Sequence, residues 1–263
     1  MARVPTVISI AGSDSGGGAG VQADLKAFAR VGVHGMTAIT AITAQNTVGV
    51  EIVEAVSPRT IVAQVRLVAE DIGVDAVKIG MLGRRETVEA VIESLGYVGE
   101  APVVIDPVMI AESGAVLLED DARKLCIETL LPLATVVTPN IPEARVLTDS
   151  GEELSQADLA KAVVALGPKA AVVTGGHSEE IVDYFFAGEE VTPIHGPRHP
   201  DGASHGSGCT HSASLAAFLA LGHDLLGAAE KARAVTSEAV KNGLRDIGKG
   251  AGPVDVFGLA DRA

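Results

Sequence analysis

Short apolar runs alternate with amphipathic segments along the 263-residue chain. Most of the runs are continuously apolar, which is typical of strands buried on both faces of a parallel sheet. Residues 50–56 alternate more and predict an outer or flap strand, and residues 181–186 and 190–194 predict a hairpin around Ala187 and Gly188. The runs that predict buried strands are residues 6–11, 37–43, 76–79, 103–106, 135–138 and 171–174.

Segments with helical periodicity lie between these strands. Val21, Leu25 and Phe28, for example, share one face of a helix predicted over residues 19–31. The alternation predicts an α/β fold with a mostly parallel central sheet covered by helices. Because no repeat, low-complexity tract or linker appears, we expect one domain over residues 1–263. The other predicted helices are residues 59–71, 85–95, 121–131, 142–147, 156–166, 209–221 and 225–244.

Composition and charge exclude several classes of function. The chain carries 34 Asp and Glu against 20 Lys and Arg, a net charge of −14, which repels nucleic acid and anionic membrane surfaces. It has no Trp and 3% aromatic residues, so a surface that stacks bases is not expected. It lacks a run of about 18 apolar residues and a secretory leader, and it has only two cysteines. We therefore expect a cytoplasmic protein with reduced thiols and no nucleic-acid or membrane partner.

A glycine-rich segment, residues 11–20, follows the first strand and precedes the first helix. It matches neither a Walker A loop nor a dinucleotide fingerprint, since no Gly-Lys-Ser/Thr follows and Val21 stands where the third glycine should be. So many glycines allow backbone amides to approach a ligand closely. The alternative is a plain strand-to-helix turn.

A second glycine-containing segment, residues 205–211, precedes a helix of small residues. Free amides at a helix N-terminus bind anions, and Gly206 and Gly208 would let a phosphate come close. The helix dipole should also stabilise the thiolate of Cys209 and lower its pKa from about 8.5. The alternative for Cys209 is a small buried hydrophobic residue.

Polar residues follow other predicted strands. Asn140 and Glu143 suit a hard cation such as Mg²⁺, although the same pair could simply cap a helix. Asp106 ends a buried strand, where a carboxylate is costly unless it is paired or bound to metal. The polar side chain of Gln45 could recognise a ring, and Met81 could contact a heterocycle or fill the core.

In this order, the motifs resemble the hydroxymethylpyrimidine/phosphomethylpyrimidine kinases of thiamine biosynthesis, in the ribokinase-like superfamily. The resemblance spans about residues 6 to 254, and eight motifs in register make it specific. They are residues 10–26, 43–47, 78–82, 106–109, 138–144, 175–177, 205–210 and 252–254.

The resemblance implies a three-layer α/β/α sandwich, with a homodimer as the usual assembly. It also implies that 4-amino-5-hydroxymethyl-2-methylpyrimidine (HMP) is phosphorylated with MgATP to its monophosphate, and the monophosphate to the diphosphate. Mg²⁺ and ATP are therefore the expected cofactor and co-substrate.

Single residues acquire expected roles in the same way. Gln45 matches the residue that hydrogen-bonds the pyrimidine, and Cys209 stands where sugar kinases of the superfamily carry an aspartate base. Further positions match the substrate pocket (Gly12, Asp24, Met81, Val108), the anion hole (Gly206, Ser207, Gly208), the ATP site (Asn140, Thr174, Gly176, Gly208) and the metal site (Glu143, Asp106).

Two departures from the family pattern affect the ATP side, because Glu112 and Thr174 stand where many members carry lysines. Three alternatives follow. A pyridoxal or pyridoxine kinase shares the anion hole, but Gln45 and Asn46 favour the pyrimidine. A sugar kinase would carry Asp at position 209. A non-catalytic pyrimidine-binding regulator would have no use for a phosphate site.

Overall fold

The computed structural model describes residues 3–110, 114, 116–176, 181–200 and 202–260. Its strands form a nine-stranded sheet in the order β3-β2-β1-β4-β5-β6-β7-β8-β9. They are β1 (Thr6–Ser13), β2 (His34–Gln45), β3 (Val50–Ala55), β4 (Ala76–Ile79), β5 (Val103–Ile105), β6 (Val136–Val137), β7 (Ala170–Val173), β8 (Val182–Phe186) and β9 (Thr192–His195).

The sheet is parallel from β2 through β7 and antiparallel at both edges. β3 pairs antiparallel with β2 at one edge, and the β8–β9 hairpin closes the other. The mostly parallel sheet, the outer strand and the hairpin are thus all confirmed.

Helices connect the strands and cover both faces of the sheet. Among the described residues they are α1 (Gly20–Val31), α2 (Pro58–Asp71), α3 (Arg85–Leu95), α4 (Asp120–Leu125), α5 (Ile141–Thr148), α6 (Gln156–Val164), α7 (Ser207–Ala220) and α8 (Leu225–Lys241). No described helix is long and apolar enough to cross a membrane.

Each face of the sheet carries its own hydrophobic cluster. One contains Phe28 of α1 and Leu215 of α7, together with residues of α8. The other contains Val65 of α2, together with residues of α3, α5 and α6. Successive residues of β1 enter opposite clusters, Val7 the first and Ile8 the second, as the alternation of a strand requires. The three-layer α/β/α sandwich is therefore confirmed.

Two predicted helix boundaries need correction. The helix expected over residues 121–131 is regular only to Leu125, continues as a π-helical turn over Cys126–Leu130, and ends in a 3₁₀ turn over Leu131–Leu133. Pro132, which lacks an N–H and cannot lie inside an α-helix, accounts for this ending. α7 starts at Ser207 rather than at Cys209, so Cys209 lies inside its first turn.

The carboxyl ends of β1, β2, β4, β5, β6 and β7 meet at one edge of the sheet, because parallel strands in one sheet point the same way. The loops that leave these ends, with the start of α7, bring together most of the residues singled out above.

Candidate active site

A cavity of about 610 Å³ lies at this edge of the sheet. It is much larger than one heterocycle requires and falls within the usual range for small-molecule sites. The predicted site residues that line it are Gly12, Gln45, Met81, Asp106, Val108, Asn140, Glu143, Thr174, Gly176, Gly206, Ser207, Gly208 and Cys209.

The glycine-rich segment binds its own aspartate. The Asp14 carboxylate accepts hydrogen bonds from the amides of Gly16 (2.7 Å), Gly18 (2.9 Å) and Ala19 (2.8 Å). Burial opposes ionisation, but the hydrogen bond from His205 and these amides hold the pKa of Asp14 below its ordinary value. The prediction that the amides of this segment approach a ligand is therefore wrong for these three.

The side of the cavity nearest β1 and β2 suits a flat ring. A Cβ on Gly12 would lie 2.5 Å from Met81 Cε, so the glycine leaves room for the methionine side chain. The Thr43 hydroxyl lies 2.9 Å from the Ser13 carbonyl oxygen and 3.2 Å from Gln45 Oε1, which fixes one end of the Gln45 amide. Gln45 is thus held in place at the cavity wall.

A buried ion pair lies behind this wall. Lys78 Nζ is 2.9 Å from both carboxylate oxygens of Asp24, and Ser9 Oγ donates to Asp24 Oδ2 at 2.5 Å. Both charged side chains are fully buried. Burial would lower the pKa of Lys78, but the nearby acidic groups, Asp24 foremost and Asp106 with it, together raise the pKa, so the lysine stays charged.

Asp24 was expected to contact the substrate, and the structure places it differently. It packs against Lys78, and Lys78 is the member of the pair that reaches the cavity. The expectation for Asp24 is therefore corrected: its contact with the site runs through the lysine.

α7 opens on a glycine that no other residue can replace without strain. Gly206, its N-cap, has φ +81°, and a Cβ there would overlap the Gly18 carbonyl oxygen. The Ser207 amide, expected in the anion hole, donates instead to the Ser204 carbonyl at 2.9 Å. The amides of Gly208 and Cys209 belong to the first turn of α7, where a helix supplies no acceptor, and amides in that position can bind an anion.

The thiol of Cys209 differs from expectation. Burial raises its pKa to about 12, the charges of Asp106 and Asp24 add to the rise, and Lys78 opposes it. The predicted lowering by the helix dipole is wrong, because desolvation and nearby carboxylates outweigh the dipole. Cys209 is a thiol at neutral pH when the site is empty.

Asn140 and Glu143 form a reciprocal helix cap. Asn140 Oδ1 accepts from the Glu143 amide at 2.8 Å, and Glu143 Oε2 accepts from the Asn140 amide at 2.9 Å. The capping interpretation is therefore confirmed. Both side chains also line the cavity, so capping does not exclude a role in binding.

Two carboxylates in the cavity are suited to a cation. Burial and the charge of Asp106 raise the pKa of Glu143 to about 8, and burial raises the pKa of Asp106 although Lys78 opposes it. Ser212 Oγ donates to Asp106 Oδ2 at 3.0 Å. Within the described ranges no three His, Cys, Asp or Glu side chains cluster as a metal cage. Two carboxylates fit Mg²⁺, which completes its shell with water and phosphate oxygens.

The turn after β7 closes the opposite end of the cavity. The Thr174 amide donates to the Pro139 carbonyl at 2.9 Å, and the Gly175 amide donates to Asp183 Oδ1 at 2.9 Å. Glu112 and His177, which the sequence comparison with the family singled out, lie outside the described residues.

Sequence reasoning missed three features of this site: the charge of Lys78, the capture of loop amides by Asp14, and a polar group formed by Asp183, His211 and Arg233. Lys78 left a signal, because it is a charged residue within an otherwise apolar strand, β4. Asp183 left a similar one in β8. The role of Asp14 depends on a loop conformation that no periodicity encodes.

The chain matches the phosphomethylpyrimidine kinase family over residues 14–255. It is 48% identical to the hydroxymethylpyrimidine/phosphomethylpyrimidine kinase of Rhizobium meliloti over 256 residues, covering 95% of this chain and 96% of that protein.

Solved structures share the fold. The phosphomethylpyrimidine kinase of Clostridium difficile is 38% identical, with a TM-score of 0.80, over 91% of this chain and 100% of that one. An ADP complex of Bacillus subtilis pyridoxal kinase is 35% identical, with a TM-score of 0.89, over 98% and 99%.

Proposed function

This chain belongs to the phosphomethylpyrimidine kinase family, and we propose that two successive phosphoryl transfers, to HMP and then to HMP monophosphate, take place in the cavity described above. The activity itself follows from the family: the chain is a hydroxymethylpyrimidine/phosphomethylpyrimidine kinase of thiamine biosynthesis. The observation that carries the proposal is the convergence of a ring-sized wall, an anion site and two buried carboxylates on one cavity.

The pyrimidine occupies the end formed by β1 and β2. Gln45, held by Thr43, hydrogen-bonds the ring edge. Gly12, Met81 and Val108 provide the apolar surface against which the ring packs. This arrangement points the hydroxymethyl group, or its phosphate, toward the start of α7.

ATP occupies the end formed by Asn140, Thr174 and Gly176. Asp106 and Glu143 would hold Mg²⁺, which when bound would place positive charge on the phosphates and relieve the carboxylate repulsion that raises the Cys209 pKa. Lys78, which lies behind the cavity wall nearest β1 and β2, adds a permanent positive charge.

The transferred phosphoryl group lies over the first turn of α7. The amides of Gly208 and Cys209 donate to its oxygens as charge spreads over them, and Gly206 lets the start of α7 pack on the Gly18 carbonyl. Cys209 belongs to the same turn, and its thiolate, formed once the thiol proton has been released to solvent, accepts the proton that leaves the HMP hydroxyl. The nucleophile of the second step is a phosphate oxygen, already ionised at neutral pH, so it needs no base.

The two steps should therefore respond differently to loss of the thiol. We expect Cys209→Ala to lower kcat for HMP by about 100-fold, in the range of general-base contributions, and kcat for HMP monophosphate by only a few-fold. Cys126→Ala, which removes the other, buried cysteine, is the matched control and should leave both rates unchanged. Equal losses in both steps for Cys209→Ala would refute the base role and leave only a steric one.

A second substrate, pyridoxal, has a specific observation in its favour, because a pyridoxal kinase shares the fold over nearly the whole chain. Gln45, fixed by Thr43, favours the pyrimidine. We propose pyridoxal as a poor substrate at most.

The assembly we propose is a homodimer formed through the β3 edge of the sheet. An exposed edge strand with apolar side chains is prone to pair with another chain. Ile52 and Val53 of β3 and Ile42 of β2 are exposed by 44 to 56%.

We place the enzyme in the cytoplasm, because ATP is available there and both cysteines are free.

A further inference from the structure

Three buried charged or polar side chains meet at the nucleotide end of the cavity without being used by the chemistry above. Asp183 of β8, His211 of α7 and Arg233 of α8 are exposed by 1%, 3% and 9%. Asp183 Oδ2 lies 3.5 Å from Arg233 Nε and 3.9 Å from His211 Nε2. All three residues line the cavity.

Asp183 has a second contact, and it leads directly to the nucleotide end. Its other oxygen, Oδ1, accepts the hydrogen bond from the Gly175 amide at 2.9 Å. From the other side, Gln156 Nε2 donates to the carbonyls of Val173 (3.0 Å) and Val182 (2.8 Å). The turn at residues 174–176 is thus held between the Asp183 carboxylate and the side-chain amide of Gln156.

The turn tolerates little movement. A Cβ on Gly175 would overlap the Val182 carbonyl oxygen and would lie 3.0 Å from Gln156 Nε2, so the backbone is packed tightly on β8. Gly176, the next residue, lines the cavity. A change in the Gly175 hydrogen bond must therefore alter the wall that faces the nucleotide.

Arg233 lies beside the Asp183 carboxylate, and His211 is close to the same oxygen. The guanidinium is always charged and supplies the counter-ion that a buried carboxylate requires. It passes close to the backbone of Gly196, where a Cβ would lie 2.5 Å from Arg233 Nη2. Burial lowers the pKa of His211, so the imidazole is neutral and adds no second positive charge.

We propose that Asp183 is a positioning residue for the nucleotide: held by Arg233, it fixes the Gly175–Gly176 turn, and through that turn it sets the affinity for ATP without contacting the pyrimidine. The proposal rests on the proposed function only in assigning this end of the cavity to the nucleotide. His211, with both ring nitrogens lacking a hydrogen-bond partner among the described residues, completes the polar pocket around Oδ2.

The test compares nucleotide and pyrimidine affinities across variants of this group. ADP is titrated calorimetrically into the wild type, Asp183→Ala, Asp183→Asn, Arg233→Lys and Arg233→Met, and the KM values for ATP and for HMP are measured alongside. Asp158→Ala, which removes an exposed carboxylate of α6, is the matched control.

We expect Asp183→Ala to raise the Kd for ADP and the KM for ATP about tenfold, the usual loss for a hydrogen bond to a charged group, with the KM for HMP unchanged. Asp183→Asn keeps an acceptor for the Gly175 amide and should lose less affinity for ADP than Asp183→Ala. The Kd for ADP of Arg233→Lys should be close to that of the wild type, and that of Arg233→Met should lie between those of the wild type and Asp183→Ala.

Two results would overturn the proposal: a folded Asp183→Ala variant that binds ADP within about twofold of the wild type, or equal rises in the KM values of ATP and HMP. If Asp183→Ala does not fold, the comparison of Asp183→Asn and Arg233→Met with Arg233→Lys decides the question by the same measurements. ADP binding needs no turnover, so a wild type that failed to phosphorylate HMP would refute the proposed function while leaving this test intact.

Discussion

At the scale of single residues, the site is a balance of buried charges. Asp24, Asp106 and Glu143 place three carboxylates near one cavity, and Lys78 is the cation buried among them. Asp24 forms an ion pair with Lys78. The charges of Asp106 and Glu143 repel each other, so each makes ionisation of the other less favourable. Burial is the largest cause of the raised pKa of the Cys209 thiol, and the remaining negative charge adds to the rise and suits a divalent cation.

The Cys209 pKa can be read from its rate of alkylation by iodoacetamide in a Cys126→Ala background, where Cys209 is the remaining thiol. With a pKa of about 12, the thiolate fraction rises tenfold per pH unit from pH 7 to 10. We expect the alkylation rate to rise in step, without the plateau that a thiol of pKa about 8.5 shows above pH 9.

The cause of the raised pKa is tested in the same experiment. Asp106→Asn removes one of the charges that raise it, so alkylation at pH 8 should become faster than in the parent. A plateau near pH 8 in the parent would show that the helix dipole does dominate, and unchanged rates in Asp106→Asn would exclude the carboxylate as a cause.

The roles of single residues could be predicted from the sequence only where the chemistry is local. The cap formed by Asn140 and Glu143 was predictable, because three-residue spacing and a following proline determine it. The pKa of Cys209 was not predictable, because it depends on the distances from Cys209 to Lys78 and Asp106. These two residues belong to two other strands or their ends. The helix dipole was the only contribution visible in the local sequence.

At the scale of elements, the anion site depends on how α7 begins. Gly206 combines a left-handed conformation with close contact to the Gly18 carbonyl, so the start of α7 and the glycine-rich segment fit together without a side chain between them. This fit places the free amides of the first turn beside the pyrimidine end of the cavity.

Gly206→Ala should therefore reduce activity beyond its cost in stability. A left-handed alanine costs about 1 to 2 kcal/mol, and the overlap with Gly18 must also displace the first turn of α7. We expect kcat/KM for HMP to fall about 100-fold. Gly222→Ala is the matched control, since Gly222 has φ +85° after the end of α7 with open space around it.

Urea unfolding and steady-state kinetics on both variants separate the two effects. Gly222→Ala should lower the free energy of unfolding by a similar amount, about 1 to 2 kcal/mol, and should retain wild-type kcat/KM. Full activity in Gly206→Ala, or an equal loss of activity in Gly222→Ala, would contradict the role given to the start of α7.

The elements were largely predictable because each has a strong local signal. The runs over β4 and the helix α3 match their predicted bounds, and the others differ by a few residues. The exception is the end of α4, where a π-helical turn precedes Pro132. Periodicity distinguishes helix from strand but does not resolve how a helix adjusts before a proline.

At the scale of the whole molecule, the sandwich leaves one sheet edge exposed, where β3 carries the apolar Ile52 and Val53 beside Glu51 and Glu54. Most of β3 faces solvent, and Ile52 is 55% exposed. We expect Ile52→Lys to convert a dimer to a monomer in sedimentation velocity, because a charge on an edge strand blocks pairing. Val146→Lys, at a comparably exposed site on α5, should leave the dimer intact. A wild-type monomer, or a dimer unaffected by Ile52→Lys, would rule out this interface.

The overall architecture was predictable from the order of strands and helices, and the position of the cavity from the parallel direction of the strands. The proposed division of the cavity into a pyrimidine end and a nucleotide end was not predictable. It depends on side chains such as Thr43 and Asp183, whose contacts come from residues far apart in the sequence.

The most direct test of the account is a coupled ATP assay with purified protein and Mg²⁺, in which HMP, HMP monophosphate and pyridoxal are offered in parallel. We expect turnover of both pyrimidines, from one cavity, with little turnover of pyridoxal. Turnover of pyridoxal alone would contradict the role given to Gln45. Absence of turnover with either pyrimidine, in a folded protein that still binds one, would contradict the proposed phosphoryl-transfer site.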